Sequence, residues 1–180
     1  MSAERARLFF ACPVPTDVGA CLLQQVAPFS VRCGGLLAKV DDLHLTLAFL
    51  GNLPRARIAA ALRAGAFLGT RQGCVLNLDY LGCFAHSDVV WAGSRNTPAD
   101  LPCLRAELNE ALVAEGFVSL ERDFSPHVSL FRHGKISTQL PEMAGVSWTI
   151  DRFALFESEP AASGRRYAVL GEWMLSDAVA

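Results

Sequence analysis

The chain has 180 residues, 52% of them apolar and 19% charged, with 16 Lys+Arg against 18 Asp+Glu for a net charge of −2. This composition excludes a disordered chain, and the length fits a single domain or two small lobes sharing one core. The missing basic excess excludes a protein that grips long nucleic acid by charge alone, but leaves room for a small ligand or one end of a nucleic acid.

The elements are expected in this order. Arg5–Val14 is a short apolar strand closed by prolines. Thr16 opens a helix as N-cap, with Val18, Leu22, Leu23 and Val26 on one face and Pro28 near its end. A Gly34-Gly35 turn and a short strand over Leu37–Val40 follow. His44–Leu50 is a strand stopped by Gly51-Asn52, and Pro54 starts a helix running to about Phe67. Cys74–Phe84 and Val89–Gly93 read as an antiparallel pair turning at His86-Ser87-Asp88. Thr97-Pro98-Ala99-Asp100 begins a helix whose Leu101, Leu104, Leu108, Ala111 and Leu112 keep a 3.6 period, with Gly116 as its stop. Pro126–Phe131 is a strand, and Trp148–Phe156 with Tyr167–Trp173 form a closing hairpin. The order suggests an α+β body of two pseudo-symmetric lobes, each a small antiparallel sheet with outer helices, around a central cleft. No linker interrupts residues 1–180, so one domain is expected.

Six cysteines, Cys12, Cys21, Cys33, Cys74, Cys83 and Cys103, include no C-x-x-C pair. Cys12, Cys21, Cys74 and Cys103 sit in apolar runs, where a thiol acts as a small hydrophobe. With no signal core and no membrane-length apolar run, the chain reads as cytoplasmic, reduced and unattached to membrane. Apart from Lys39 and Lys135 every basic residue is arginine, which suits bidentate phosphate recognition but also follows from an Arg-rich genome.

Two strings carry the chemistry: Leu43-His44-Leu45-Thr46-Leu47 and Pro126-His127-Val128-Ser129-Leu130. Alternate residues of a strand share a face, so each presents an imidazole and a hydroxyl about 6.6 Å apart, with the aliphatics behind. Facing one cleft, two such strands suit phosphoester hydrolysis: one neutral imidazole takes a proton from water and a protonated one gives a proton to the leaving oxygen. The hydroxyls donate to phosphate oxygens. No cofactor is needed, and Asp41-Asp42 alone is weak evidence for a metal. A lone strand histidine is more often structural; the matched pair changes that balance. His86 and His133 read as solvated, and the 101–112 leucine stripe as an ordinary buried face.

The pattern resembles the two-histidine phosphoesterases, and among them the bacterial RNA 2′,3′-cyclic phosphodiesterases, also called 2′-5′ RNA ligases. Four stretches carry the resemblance: Arg7–Ala11, Asp42–Gly51, Phe124–Arg132, and Leu155–Ser158 with Gly164 and Tyr167. They reach from the N-terminus nearly to the end. The departure is Ser129 where threonine is usual, which keeps the hydroxyl and loses the methyl that fixes its rotamer.

The resemblance implies a metal-independent enzyme acting on an RNA 3′ end or nucleotide that bears a 2′,3′-cyclic phosphate. His127 would accept the proton of water and His44 would protonate the departing 3′ oxygen, giving a 2′-phosphate, with a reverse 2′-5′ ligation open to it. Thr46 and Ser129 would hold the phosphate. Arg132 would join them, although strand parity counted from His127 puts residues 129 and 131 on its face and Arg132 on the other, unless the strand bulges. Among Phe9, Phe49, Phe84, Trp91, Phe131 and Tyr167, mostly core by composition, the resemblance favours Phe9 and Tyr167 for base stacking. The expected enzyme is a monomer. The alternatives are a relative acting on small cyclic nucleotides or on a 2′-5′ linkage, and a non-catalytic RNA-end or nucleotide-binding module. A His/Cys metal-binding protein is disfavoured by the absent ligand spacing.

Overall fold

The structure, a computed structural model, describes residues 4–68, 71–84, 87–120, 123–133, 139–161 and 164–177. In chain order it contains β1 (Arg5–Pro13), α1 (Thr16–Cys33), β2 (Leu36–Leu37), β3 (His44–Pro54), α2 (Ile58–Phe67), β4 (Cys74–Leu78), β5 (Tyr80–Phe84) and β6 (Val89–Gly93). Then come α3 (Asp100–Ala114), β7 (His127–Arg132), β8 (Val146–Ile150), β9 (Arg152–Ala161) and β10 (Gly164–Met174). Single 3₁₀ turns, Val40–Asp42 and Arg55–Arg57, flank β3.

The main sheet is antiparallel in the order β10-β9-β1-β3-β7-β6-β5, with β2 also on β7; β4 and β8 form a separate pair. The α+β expectation holds. Strands β10, β9, β1 and β3 make one half and β7, β6, β5 and β2 the other. The two halves meet where β3 pairs with β7 through Leu45 opposite Val128, both fully buried. It is the one β3–β7 pair among the described residues.

One sheet face forms the main core. Leu8, Phe10, Leu45, Leu47, Val128, Leu130 and Phe131 point into it, from both halves. Burying each such side chain stabilises by about 1.5–3 kcal/mol. The helices cover this face: α1 packs on β7 and β8, and α2 on β9, β10 and α3. The expected α3 face, Leu101, Leu104, Leu108, Ala111 and Leu112, is buried. The opposite face of the first half carries a smaller cluster of Phe9, Ala11, Ala154 and Phe156, with Tyr167 against it.

Several boundaries differ from expectation. Cys74–Phe84 is not one strand: it breaks at Asp79, whose N–H donates to the Gly93 carbonyl at 2.9 Å, and β4 leaves for the second sheet. Trp148–Phe156 likewise breaks at Asp151, so β8 pairs with β4 and β9 with β1 and β10. A one-residue change of sheet leaves no mark on an apolar period. Gly51, at φ 82°, does not stop β3 but sits in a bulge, and the strand continues to Pro54, so α2 starts only at Ile58. Thr16 is the first residue of α1 rather than its cap, and α3 starts at Asp100; neither helix has a side-chain N-cap bond.

All six cysteines are unpaired, but Cys21 and Cys103 are exposed rather than packed. Burial pushes the Cys74 thiol up to about 11. Among the described residues no helix is long and apolar enough to cross a membrane.

Candidate active site

His44 starts β3 and His127 starts β7. His44 follows Leu43 in extended geometry, φ −71°, ψ 129°, and His127 follows Pro126, whose ring fixes φ. This local shape brings the carbonyl two residues back onto the ring. His44 Nδ1 lies 2.7 Å from the Asp42 carbonyl oxygen, and His127 Nδ1 lies 2.8 Å from that of Ser125. A carbonyl accepts only, so each Nδ1 carries the proton and donates it. Both imidazoles are thereby held with Nε2 as the nitrogen available to substrate.

Aromatic rings fix both imidazoles. His44 lies 5.0 Å from Phe9 and 5.1 Å from Tyr167, centroid to centroid, with Phe156 at 6.4 Å. His127 lies 4.9 Å from Phe84 and 5.7 Å from Trp91. Trp91 needs room of its own: a Cβ on Gly82 would fall 2.2 Å from its ring.

The antiparallel register fixed by Leu45 and Val128, continued one residue each way, sets His44 across from Ser129 and Thr46 across from His127. By register, each histidine is thus opposite the hydroxyl-bearing residue of the other motif. Two adjoining cavities open there. One of about 170 Å³ is lined by His44, Thr46, Arg132 and Tyr167 among others; one of about 410 Å³ is lined by His44, Ser129, Arg132 and Tyr167 with Lys39. His127 lines neither. A larger cavity of about 530 Å³ runs along β3 beside residues 116–120 and Asp123 and holds neither histidine. The imidazole pair, not volume, marks the site.

Arg132 reaches the cleft because β7 bulges. The β6–β7 register steps from Trp91↔Ser129 to Val90↔Phe131, leaving Leu130 as an extra residue. Leu130 and Phe131 are consecutively buried, so parity resets and Arg132 returns to the histidine's face. Phe131 is therefore core, contrary to the parity count. Strand β3 does the same: Ala11↔Thr46 is followed by Phe10↔Ala48, Leu47 is extra, and Phe49 emerges on the His44 side, 51% exposed. Both bulges fall three residues after the histidine.

Burial holds the His44 imidazole below its ordinary pKa; the hydrogen bond to Asp42 opposes this, and the positive Arg132 adds to the lowering. Free His44 is thus biased toward neutrality, while a bound phosphate anion reverses the repulsion and raises it.

Other expected residues fall as follows. Phe9 is only 4% exposed, stacked on Phe156 at 5.2 Å and tilted against His44 at 5.0 Å, and what remains open of it lines the smaller cavity. Tyr167 is half-buried at the cavity wall with its ring edge-on to His44. His133 lines the larger cleft cavity at φ 63°, and His86 lies outside the described residues. Glu157 points away and pairs with Arg55 at 2.5 Å. The sequence reading missed Arg7, Ser158 and Arg165 in the cleft wall; the alternation of Arg7 with Phe9 was the available signal. Among the described residues no three His, Cys, Asp or Glu side chains gather as a metal site.

No protein-family model matches the chain. It is 32% identical over 177 residues to the RNA 2′,3′-cyclic phosphodiesterase of Escherichia coli (strain K12), covering 97% of this chain and 99% of that protein. It is 30% identical to the enzyme of the same name from Thermus thermophilus, covering 94% and 90%. Among solved structures, apo E. coli LigT superposes with a TM-score of 0.84 at 32% identity, over 96% of this chain and 98% of that one. LigT complexed with 3′-AMP gives 0.79 at 31% identity, over 96% and 99%. With paired motifs, shared fold and end-to-end similarity in agreement, the chain belongs to the bacterial RNA 2′,3′-cyclic phosphodiesterase family of two-histidine phosphoesterases.

Proposed function

We propose that this protein opens a terminal 2′,3′-cyclic phosphate on RNA to a 2′-phosphate, without a metal ion. The observation that carries this reading is the matched fixing of both Nδ1 atoms by carbonyls, which leaves two Nε2 atoms for proton transfer beside two hydroxyls. The water oxygen attacks phosphorus as His127 Nε2 takes its proton. The P–O3′ bond breaks, and protonated His44 Nε2 gives its proton to O3′. Thr46, Ser129 and Arg132 hold the non-bridging oxygens, and Arg132 adds the positive charge that draws the anion in. The assignment of acid and base follows the family resemblance, since the two motifs are near-equivalent. The same geometry takes a 5′-hydroxyl in place of water, which is 2′-5′ ligation. The whole chain, 1–180, works as one bilobal monomer in the cytoplasm.

The test is an oligoribonucleotide ending in 2′,3′-cyclic phosphate, incubated with chelator, with the product isomer identified. The expected product is the 2′-phosphate. His44→Ala and His127→Ala should each lower turnover about 10²–10⁴-fold. Full activity in either variant, or loss of wild-type activity with chelator, contradicts the mechanism.

A further inference from the structure

The cleft wall carries more positive charge than one cyclic phosphate uses. Beyond Arg132, the about 170 Å³ cavity is lined by Arg7 and Arg165. Arg7 is on β1, four residues before Ala11, which pairs with Thr46; it therefore lies about 13 Å along the strand from the reacting phosphate. Between them stand Phe9 and Phe49. Arg7 lays its guanidinium over the exposed Phe49 ring, 4.7 Å from the centroid.

Ser158 is the independent sign of a ligand. It lines the same cavity on β9, is 7% exposed, and among the described residues its buried Oγ has no hydrogen-bond partner. Buried hydroxyls are ordinarily satisfied, so a lone one in the wall of a cationic cavity asks for an acceptor from outside the chain. Extending the β1–β9 register by one residue beyond Leu8 opposite Glu157 sets Ser158 beside Arg7, and β10 sets Tyr167 on its other side. Phe49 also lines the about 530 Å³ groove along β3, so the cationic cavity and that groove share a wall.

We propose that Arg7, Ser158 and Arg165 bind the phosphodiester on the 5′ side of the reacting nucleotide, with Phe49 stacking a base there. The protein would then be selective for RNA ends over cyclic mononucleotides. This rests on the phosphodiesterase reading above. Cation, hydroxyl and aromatic face together match one nucleotide unit, and a ring already backed by arginine stacks a base without sequence preference.

The experiment compares kcat/KM for a short oligoribonucleotide ending in 2′,3′-cyclic phosphate with that for a 2′,3′-cyclic mononucleotide. Wild type should favour the oligonucleotide. Arg7→Gln and Ser158→Ala should each reduce that preference, Arg7→Gln by about tenfold. Arg7→Gln should also flatten the dependence of log kcat/KM on log salt for the oligonucleotide by about 0.7. Ser158→Ala breaks no hydrogen bond among the described residues, so it keeps the test sound if Arg7→Gln folds poorly. An unchanged preference in both variants, or equal loss on both substrates, overturns the proposal while leaving the phosphodiesterase reading standing. Wild type that opens neither substrate overturns both.

Discussion

At the residue scale, His44 shows how environment and role are linked. Burial and the neighbouring Arg132 hold its imidazole below the usual value. Removing a positive neighbour makes the protonated form less costly, so Arg132→Gln should raise the His44 pKa in an NMR titration of its ring protons; a fall would contradict the electrostatic account. A bound anion acts in the same direction as that substitution. The alkaline limb of kcat should therefore lie at higher pH than that of kcat/KM, which reports the free protein. Coincident limbs would mean that His44 is not the proton donor. Ser129 supplies the simplest probe of phosphate contact: Ser129→Ala should lower kcat/KM about tenfold, while Ser129→Thr keeps activity because the hydroxyl survives.

At the element scale, two bulges and one tight fit aim the side chains. The extra residues Leu47 and Leu130 turn Phe49 and Arg132 toward the cleft. Trp91, which supports His127, depends on the bare backbone of Gly82 on the neighbouring strand. Gly82→Ala should destabilise by about 1–3 kcal/mol through overpacking, measured by denaturant titration. It should also reduce kcat more than it changes KM, because it displaces His127 without touching substrate. Lost stability with kinetics intact would show that Trp91 has no part in positioning.

For the whole molecule, the main core draws on both halves of the sheet, which touch at Leu45 and Val128. A shared core implies cooperative unfolding, so calorimetry should give a single two-state transition. Leu45→Ala should lower stability by about 2–5 kcal/mol while keeping the transition single. Two separated transitions would show that the halves are independent units. The net charge of −2 leaves room for a locally cationic cleft, where Arg7, Arg132 and Arg165 line one cavity while other arginines pair with carboxylates elsewhere on the molecule.

The sequence by itself determined the imidazole–hydroxyl pairs, the aliphatic backs of their strands, the apolar face of α3 and the α+β class. These are period-2 and period-3.6 patterns, set by local geometry and readable without the fold. Tertiary structure decided what such patterns do not encode. Bulges reset parity at Arg132 and Phe131, because an extra residue appears only when a partner strand defines the register. Asp79 and Asp151 pass their chains between sheets, because pairing partners lie far away in sequence. Phe9 is almost wholly buried against His44 and Phe156, because only packing shows how much of an aromatic ring stays open. The second group of cations, Arg7 and Arg165 with Ser158, comes together from three strands that only the sheet makes neighbours.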